Sequence, residues 1–215
     1  MEEFDRTSRR GANSPPSRKT QKTPEKGVSK MGGKILILNG SPRLNGNTAA
    51  LIREFTRGAE TGGNTVHRFD LDRMSIHGCK GCLSGGRDPE SPCVQKDDME
   101  KIYPEYRSAG ILVLASPMYY WGISGQLKCA LDRLFAVTES DPNWATPHKQ
   151  AILLMAAEGS GRENDEPVLR YYRSLLGFLN WEDLGAVIAG GVLKSGDIAG
   201  HPQLEKAFEL GKSIH

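Results

Sequence analysis

Short apolar runs alternate with amphipathic stretches along the chain from residue 34 onward. The apolar or strand-like runs lie at residues 35–38, 65–71, 110–115, 150–157 and 184–189. The stretches between them carry apolar residues at helical spacing, which predicts a helix between successive strands. Continuously apolar runs of this length are typical of parallel strands covered on both faces. The pattern therefore predicts an α/β fold, with a doubly wound, five-stranded parallel sheet and helices on both faces.

Capping and breaking residues give the limits of the predicted helices. The first helix covers residues 48–60, the second is capped by Asp97 or Asp98 and runs to Ser108, and the third covers residues 125–137. The fourth has Pro167 in its first turn, and the last begins at His201 and Pro202. Ligands of doubly wound sheets bind beyond the carboxyl ends of the strands. A site is therefore expected where the loops after the strands meet. Those loops cover residues 39–48, 74–96, 116–124, 158–165 and 190–200.

The composition is that of an ordinary globular protein, with 38% hydrophobic and 25% charged residues in a chain of 215. Such a chain can bury one good core, which predicts one domain with an appendage. The apolar runs are far shorter than the roughly 20 residues that span a bilayer, and no secretory apolar segment opens the sequence. No membrane partner is therefore expected. Four cysteines without a secretory signal favour a reduced, cytoplasmic setting.

Residues 1–30 differ in composition from the rest of the chain. They are rich in Ser, Thr, Pro, Lys and Arg and poor in large apolar residues, which predicts a disordered basic extension outside a domain at 31–215. Residues 1–33 have a net charge of +4 and the whole chain has +2, so residues 34–215 have −2. The basic bias therefore lies in the extension and does not favour nucleic-acid binding by the domain. A nucleic-acid-binding arm is the alternative.

The first strand leads into a polar loop that is suited to bind an anion. Between Asn39 and Thr48 the loop offers hydroxyls, amides and one guanidinium around two glycines, and it matches neither G-x-G-x-x-G nor the P-loop pattern. A helix that begins at Thr48 adds backbone N–H groups and a partial positive charge. We therefore predict a nucleotide-phosphate site here; the alternative is that Asn47 or Thr48 merely caps the helix. The predicted ligands are Ser41, Arg43, Asn45, Asn47 and Thr48.

The loop after the third strand carries three consecutive aromatic residues, Tyr119, Tyr120 and Trp121, in a polar turn beside Gly122. Such positions suit a core poorly, whereas a loop at the carboxyl edge of the sheet can present the rings to a flat aromatic ligand. The alternative is that a ring packs under the loop or at a subunit interface.

Three segments resemble a known family. Asn39–Thr48, Ser116–Phe135 (SPMYYWGISGQLKCALDRLF) and Gly191–Ser213 are similar to the flavodoxin-like NAD(P)H-dependent FMN oxidoreductases, nearest to their iron–sulfur flavoprotein branch. The resemblance implies a flavodoxin-like sheet of order 2-1-3-4-5 and a tightly held FMN with its phosphate on the first loop. The implied contacts of the flavin ring are Pro117, Met118, Tyr119, Tyr120, Trp121, Gly122, Glu158 and Gly159.

The cysteines bear on the choice of branch. Cys79 and Cys82 form a C-x-x-C pair, and Cys93 follows after a Gly- and Pro-rich stretch. A cubane cluster takes four thiolates, and the related iron–sulfur flavoproteins use a compact four-cysteine motif, but Gly85 stands where a third cysteine is expected. We therefore favour a loop with free thiols and no metal. The alternatives are a three-thiolate iron–sulfur cluster with an outside ligand, zinc binding with His77, and a Cys79–Cys82 redox pair.

The sequence is thus interpreted as an FMN-dependent oxidoreductase that takes hydride from NAD(P)H and reduces a quinone, an azo or nitro compound, free flavin or a similar acceptor. The flavin carries the chemistry, so no catalytic residue is named. The alternatives are an electron-transfer iron–sulfur flavoprotein that works between protein partners and a flavin-binding sensor with little turnover. The resemblance also implies a homodimer or homotetramer, in which a neighbouring subunit can cover the aromatic loop.

Overall fold

The fold is built on one parallel sheet. The computed structural model describes residues 33–86 and 88–215, so the predicted extension at 1–30 lies outside the described residues. The strands are β1 (Lys34–Asn39), β2 (Thr65–Asp70), β3 (Ile111–Pro117), β4 (Gln150–Ala156) and β5 (Glu182–Ala189). They pair in the order β2-β1-β3-β4-β5, and every pairing is parallel. The predicted doubly wound sheet of flavodoxin-like order is confirmed.

Helices cover both faces of this sheet because successive side chains of a strand point in opposite directions. The helices are α1 (Asn47–Thr61), α2 (Met99–Ser108), α3 (Gly125–Arg133), α4 (Phe135–Glu139), α5 (Arg162–Leu179) and α6 (Pro202–Lys212). Leu36 and Leu38 of β1 pack in a core with α2, α3 and α5, whereas Ile35 and Ile37 pack in a core with α1 and α6. All four side chains are fully buried, and each contributes about 1.5–3 kcal/mol by leaving water. Because β1 is packed on both faces, the loop at its carboxyl end begins from a well-ordered part of the sheet.

One predicted helix is divided in the structure. The apolar spacing predicts a single helix over 125–137, but α3 ends and α4 begins on either side of Leu134. The Leu134 N–H is shared between the carbonyls of Ala130, at 3.2 Å, and Leu131, at 3.1 Å. A shared bond of this kind tightens a helical turn and is common at helix ends. The apolar spacing is unaffected by such a break, so the sequence pattern does not reveal it.

The predicted start of α5 is wrong. The preference of proline for a first turn predicts a start just before Pro167, but α5 begins at Arg162, directly after Gly161 with φ +89°. Because proline has no N–H, the carbonyl of Glu163 loses its usual intrahelical donor. α5 is 18 residues long, yet none of the helices in the described ranges is long and apolar enough to cross a membrane.

Candidate functional site

The loops that follow β1 and β3 are joined at the carboxyl edge of the sheet. The Gly40 N–H donates to the Ala115 carbonyl at 2.8 Å, and Ser124 Oγ donates to the Gly40 carbonyl at 2.8 Å. Ser116 Oγ accepts the Ser124 N–H at 2.8 Å. A Cβ on Gly40 would overlap Ser124 Oγ and lie 2.7 Å from Leu127 Cβ, so this close approach requires glycine. The predicted anion loop and the aromatic loop therefore share one base.

The loop after β1 has the form of an anion site. The first N–H groups of α1 have no intrahelical acceptors, as at any helix start, and Gly46 offers no side chain to cap them. Two hydroxyl residues here are buried, Ser41 in the loop and Thr48 in the first turn of α1. Asn39 Oδ1 accepts the Ser41 N–H at 3.0 Å, and Ser41 Oγ accepts the Arg43 N–H at 3.3 Å, which folds the loop back on itself. Helix N–H groups and hydroxyls in this arrangement suit a phosphate.

Asn39 orients that loop, and sequence reasoning did not single it out as a site residue. Its side chain is fully buried, and Nδ2 donates to Asp70 Oδ1 at 2.7 Å. Asp70 also accepts a bond of 2.7 Å from Arg68 Nε. These contacts fix the amide so that its oxygen faces Ser41. No local pattern reveals the arrangement, because Asp70 and Arg68 lie on the neighbouring strand β2.

Two predicted phosphate ligands make other bonds in the structure. Arg43 Nη1 donates to the Leu193 carbonyl at 2.9 Å. Asn47 Nδ2 donates to the Lys194 carbonyl at 2.9 Å, and Asn47 Oδ1 accepts the Gly196 N–H at 3.2 Å. Direct contact of either residue with phosphate stays a prediction. The structure adds a second role for Asn47, which ties the start of α1 to the loop after β5.

Asp197 gives the loop after β5 the shape that meets Asn47. Its Oδ2 accepts the Leu193 N–H at 3.0 Å and the Lys194 N–H at 2.7 Å. Because these backbone bonds favour the carboxylate, they hold the pKa of Asp197 below its ordinary value. The carbonyls of the same two residues are then free to accept the bonds from Arg43 and Asn47. The sequence pattern marked this loop as a candidate but did not name Asp197.

A tight turn presents the aromatic residues to solvent. Tyr119 and Gly122 exchange two backbone hydrogen bonds of 3.0 Å, and between them Tyr120 and Trp121 have φ values of 48° and 59°. Two successive positive φ values define a type I′ turn, which favours Asn and Gly. Bulky residues held in this conformation store roughly 1–3 kcal/mol of strain each, and such strain is concentrated at ligand-binding sites. The side chains of Tyr120 and Trp121 are nevertheless 98% and 56% exposed, so no protein packing in the described residues explains the strain.

A cavity of about 220 Å³ lies against this turn. It is lined by Met118, Tyr120, Trp121, Ala157, Glu158, Gly159 and Asn164. Asn164 is a site residue that sequence reasoning missed, although it lies in a loop marked as a candidate. Its Nδ2 contacts Met118 Sδ at 3.6 Å, and a Cβ on Gly159 would overlap its Oδ1. The segments after β3 and β4 thus meet at one cavity, as the fold requires.

The predicted site residues divide into three classes of exposure. Ser41, Asn47 and Thr48 are buried; Pro117, Met118 and Gly122 are half-buried; and Arg43, Asn45, Tyr119, Tyr120, Trp121, Glu158 and Gly159 are exposed. Asn47 and Thr48 lie at the start of α1 and Ser41 in the loop before it, while Tyr120 and Trp121 line the cavity. The structure therefore gathers the two predicted groups at the same edge of the sheet.

A separate ion pair holds the two flanks of the cysteine loop, of which the structure describes residues 79–86 and 88–93. Arg133 is fully buried, and its Nη1 and Nη2 each donate to one oxygen of Asp97, at 2.7 and 3.0 Å. The same atoms donate to the carbonyls of His77, at 2.9 Å, and Gln95, at 3.1 Å, which flank the loop. Burial raises the pKa of Asp97, but the hydrogen bonds from Arg133 and from two backbone N–H groups outweigh it, so that pKa lies below its ordinary value.

Three cysteines considered as metal ligands lie on this loop as free thiols. Cys79 and Cys82 are exposed, and Cys93 is half-buried. Among residues 33–86 and 88–215, no three His, Cys, Asp or Glu side chains stand close enough to hold a metal ion. His77, considered as a zinc ligand, lies with Nδ1 3.7 Å from Asp97 Oδ2. The preference for a loop without metal stays a prediction.

Comparison with known proteins finds flavoproteins and NAD(P)H-dependent oxidoreductases. An iron–sulfur flavoprotein of Archaeoglobus fulgidus is 28% identical over 181 residues, which cover 84% of this chain and 78% of the relative. An FMN-dependent NADH:quinone oxidoreductase of Azotobacter vinelandii is 34% identical over 186 residues, 76% of this chain and 90% of the relative. A solved NAD(P)H:quinone oxidoreductase from Methanothermobacter marburgensis shares the fold, with a TM-score of 0.69 at 18% identity over 86% of this chain and 100% of that chain.

A family model matches most of the described chain, not only its motifs. The description "NADPH-dependent FMN reductase" matches residues 33–190, from β1 to the end of β5. This range contains the anion loop, the aromatic turn and the cavity. The chain therefore belongs to the NADPH-dependent FMN reductase family, which confirms the NAD(P)H-dependent FMN oxidoreductase that its sequence predicts.

Proposed function

We propose that this protein binds FMN across the carboxyl edge of its sheet and uses it to reduce a small, flat acceptor with electrons from NAD(P)H. The observation that carries the proposal is the strained turn at Tyr120 and Trp121. Two bulky rings held at positive φ, exposed and beside a cavity, are arranged for a ligand that the described residues do not supply. A planar isoalloxazine suits such rings because stacked aromatic pairs attract beyond simple burial.

In this proposal the phosphate lies at the start of α1. The buried hydroxyls of Ser41 and Thr48 and the first N–H groups of the helix provide donors, and the helix end provides a partial positive charge. Arg43, Asn45 and Asn47 complete the predicted set. Asn47 also holds the loop after β5 against the site. The link between Ser124 and Gly40 sets the distance between the phosphate site and the ring site.

The flavin ring is proposed to lie against the turn and the cavity. Met118, Tyr120 and Trp121 supply apolar and aromatic surface, and Glu158 and Gly159 lie on the opposite segment of the lining. Pro117, Tyr119 and Gly122 complete the turn. Asn164 positions Met118 through the contact of 3.6 Å between Nδ2 and Sδ.

Bound FMN supplies the hydride and electron transfer between reduced nicotinamide and acceptor. The chain's own residues bind the phosphate, stack on the ring, and leave one side of the cavity open to solvent. The exposed Tyr120 and Trp121 leave room for a flat acceptor beside the cavity. Quinones and azo compounds are the acceptor classes supported by relatives named as NADH:quinone oxidoreductases and by a structural neighbour named as an azoreductase.

We further propose that the protein is a homo-oligomer in which a neighbouring subunit covers the aromatic turn. Support comes from the exposure of Tyr120, which is 98%, in a site that gains affinity by excluding water. A reduced, cytoplasmic setting is proposed because all four cysteines in the described residues are free thiols.

The ring site is tested by replacing two exposed tryptophans separately and comparing the FMN affinities of the two variants. Trp121→Ala is expected to weaken FMN binding about tenfold or more, because burying an aromatic ring contributes about 1.5–3 kcal/mol. Trp144→Ala is the matched control, since Trp144 is 60% exposed and also has a positive φ, 55°, but does not line the cavity. Flavin-fluorescence titration of the apoprotein measures both. Equal effects of the two substitutions would show that the ring lies elsewhere.

The phosphate site is tested by comparing FMN with riboflavin, which lacks the phosphate. The wild-type chain is expected to prefer FMN strongly, and Ser41→Ala with Thr48→Val is expected to reduce that preference by about tenfold or more, since hydrogen bonds to a charged group contribute about 1.5–3 kcal/mol each. Riboflavin binding should change little. A preference for FMN that survives the double substitution would place the phosphate away from α1.

A further inference from the structure

A second cavity, of about 80 Å³, collects three thiols of the cysteine loop. Cys79, Cys82 and Cys93 line it together with Arg133 of α3 and Glu139 of α4. The C-x-x-C spacing followed by a third cysteine is a metal-ligand pattern. An iron–sulfur cluster is also what the name of the Archaeoglobus fulgidus relative implies. The cavity is therefore the place to test whether this chain can hold such a cluster.

The donor set is one thiolate short of a cubane cluster. Such clusters take four cysteine thiolates, and compact cluster motifs repeat the two-residue spacing C-x-x-C-x-x-C. That spacing puts the next cysteine at position 85, which is glycine. Cys129 does not line the cavity; its Sγ lies against the backbone at Gly78, 3.9 Å from the place of a Cβ on that residue. The described residues therefore do not fit a four-thiolate cluster.

The space beside Gly85 is already filled. A Cβ on Gly85 would lie 2.5 Å from Glu139 Oε2 and 2.9 Å from the Pro92 carbonyl oxygen. A Cβ on Gly86 would overlap the Glu139 carbonyl. The end of α4 thus packs directly on this glycine pair. A cysteine side chain at 85 would meet the Glu139 carboxylate, which ends a flexible side chain, and the backbone carbonyl of Pro92, which stays in place when Glu139 is shortened.

Arg133 holds the ends of the cysteine loop close to the contact between Glu139 and Gly85. Its buried guanidinium holds the two flanks of the cysteine loop through Asp97 and the carbonyls of His77 and Gln95. Among the described atoms its Nε–H is buried without an acceptor, and Arg133 lines the cavity. Hydrogen bonds to sulfur are a normal part of iron–sulfur sites. The cavity therefore has a donor available for a sulfur atom, but it lacks a fourth thiolate, and its three thiols do not stand close enough together in the described residues to hold a metal ion.

We infer that Glu139 closes the fourth ligand position of a cluster site, so that this chain works with flavin alone. Two residues account for this: Gly85 has no thiol to offer as a ligand, and the Glu139 carboxylate lies where the side chain of a cysteine at 85 would be. The inference predicts that two exchanges together, Gly85→Cys and Glu139→Ala, open a four-thiolate site. It does not depend on where FMN binds.

The experiment is anaerobic reconstitution of the full chain with ferrous iron and sulfide, followed by assays of iron, acid-labile sulfide and absorption near about 420 nm. The wild-type chain and the single variant Gly85→Cys are expected to retain little iron after desalting. The double variant Gly85→Cys with Glu139→Ala is expected to retain about four iron atoms per chain. Gly85→Ser with Glu139→Ala is the matched control, because it opens the same space without a thiol.

Chemical rescue provides a second test that leaves Gly85 unchanged. Glu139→Ala alone, reconstituted in the presence of 2-mercaptoethanol as an outside thiolate, is expected to take up a cluster, whereas the wild-type chain under the same conditions is not. Stoichiometric cluster uptake by the wild-type chain overturns the inference. So does equal uptake by Gly85→Cys with and without Glu139→Ala, or failure of both the double variant and the rescue in protein whose circular dichroism matches the wild type.

Discussion

Asn47 and Gly196 are joined across the candidate phosphate site: Asn47 Oδ1 accepts the Gly196 N–H at 3.2 Å, while Nδ2 of the same amide donates to the Lys194 carbonyl at 2.9 Å. A buried side chain at the first position of α1 therefore supports the loop after β5 as well as the anion loop. An isosteric exchange separates these two roles, because aspartate keeps the acceptor, loses the donor and adds a negative charge.

Asn47→Asp and Asn47→Ala are expected to rank in opposite orders for stability and for FMN binding. The alanine variant loses two hydrogen bonds, which costs about 1–3 kcal/mol of unfolding free energy. The aspartate variant sets an oxygen against the Lys194 carbonyl in place of the donor, but its carboxylate still accepts the Gly196 N–H and lies at a helix N-terminus, so it should lose less. FMN affinity should fall further in the aspartate variant because like charges repel. Urea unfolding of the apoprotein and flavin titration measure the two rankings, and an aspartate variant with wild-type FMN affinity contradicts the phosphate position.

Removing the two rings of the aromatic turn is expected to raise the stability of the apoprotein and to weaken FMN binding. Tyr120→Asn with Trp121→Gly gives the sequence that a type I′ turn prefers, so the apoprotein should gain about 1–2 kcal/mol by release of strain. The same variant should bind FMN at least about tenfold more weakly because both rings are lost. Trp144→Gly is the control for binding: it releases a positive φ of 55° outside the cavity, loses the contact of the ring with Phe135, and should leave FMN binding unchanged. Calorimetry of the apoproteins decides the first expectation, and loss of stability in the turn variant would contradict it.

The fold could be predicted because its pattern is local. The run at Ile35–Leu38 is continuously apolar and becomes a fully buried central strand, and the loop after it is polar because it lies at the sheet edge. The aromatic turn was also visible, since three adjacent rings beside Gly122 do not fit the period of a strand or a helix. Amphipathic spacing in α3 and α4 gave the buried face but not the break at Leu134, which depends on a shared hydrogen bond.

The parts of the site that could not be predicted depend on long-range contacts. Asn47 and Lys194 are 147 residues apart in sequence, and their bond exists only because α1 and the loop after β5 meet at one edge of the sheet. Asn164 contacts Met118 for the same reason, across 46 residues. Residue type alone gave Asn47 as a phosphate ligand, because a polar residue at a helix start suits that role. Its two-sided bond became visible only with the partner loop in place.

The buried pair of Asp97 and Arg133 makes a prediction about acid stability. Asp97→Asn leaves a buried guanidinium without its counter-charge and should cost about 3–5 kcal/mol at neutral pH. The pKa of Asp97 is below its ordinary value in the folded state, so its contribution is present above pH 3.8 and is lost as the pH falls through the folded pKa. The wild-type and Asp97→Asn chains should therefore become more alike below about pH 3.8. Asp132→Asn, in an exposed pair with Lys128, is the control and should change stability by no more than about 1 kcal/mol.

Lys149 makes the opposite prediction at alkaline pH. It is 3% exposed directly before β4, and its Nζ donates to the Ala109 carbonyl and, at 3.4 Å, to the Arg107 carbonyl. Burial lowers the pKa of Lys149 from 10.5 to about 8, so between these values the unfolded chain binds more protons than the folded one. Stability therefore rises with pH across this window. Tyr106, whose ring lies 5.0 Å from Nζ, has a raised pKa and does not titrate there.

The measurement is the difference in unfolding free energy between the wild type and Lys149→Met. That difference should be constant below about pH 8 and should shift in favour of the wild type by up to about 3 kcal/mol by pH 10.5, because one pKa unit corresponds to about 1.4 kcal/mol. All other titratable groups are the same in both chains, so their contributions cancel in the difference. Lys128 is exposed, and its bond to Asp132 raises its pKa, so Lys128→Met should show no such shift below pH 10. A flat difference for Lys149→Met between pH 8 and 10.5 would mean that water reaches the ammonium, and that the lysine at the base of β4 is not held in an apolar site.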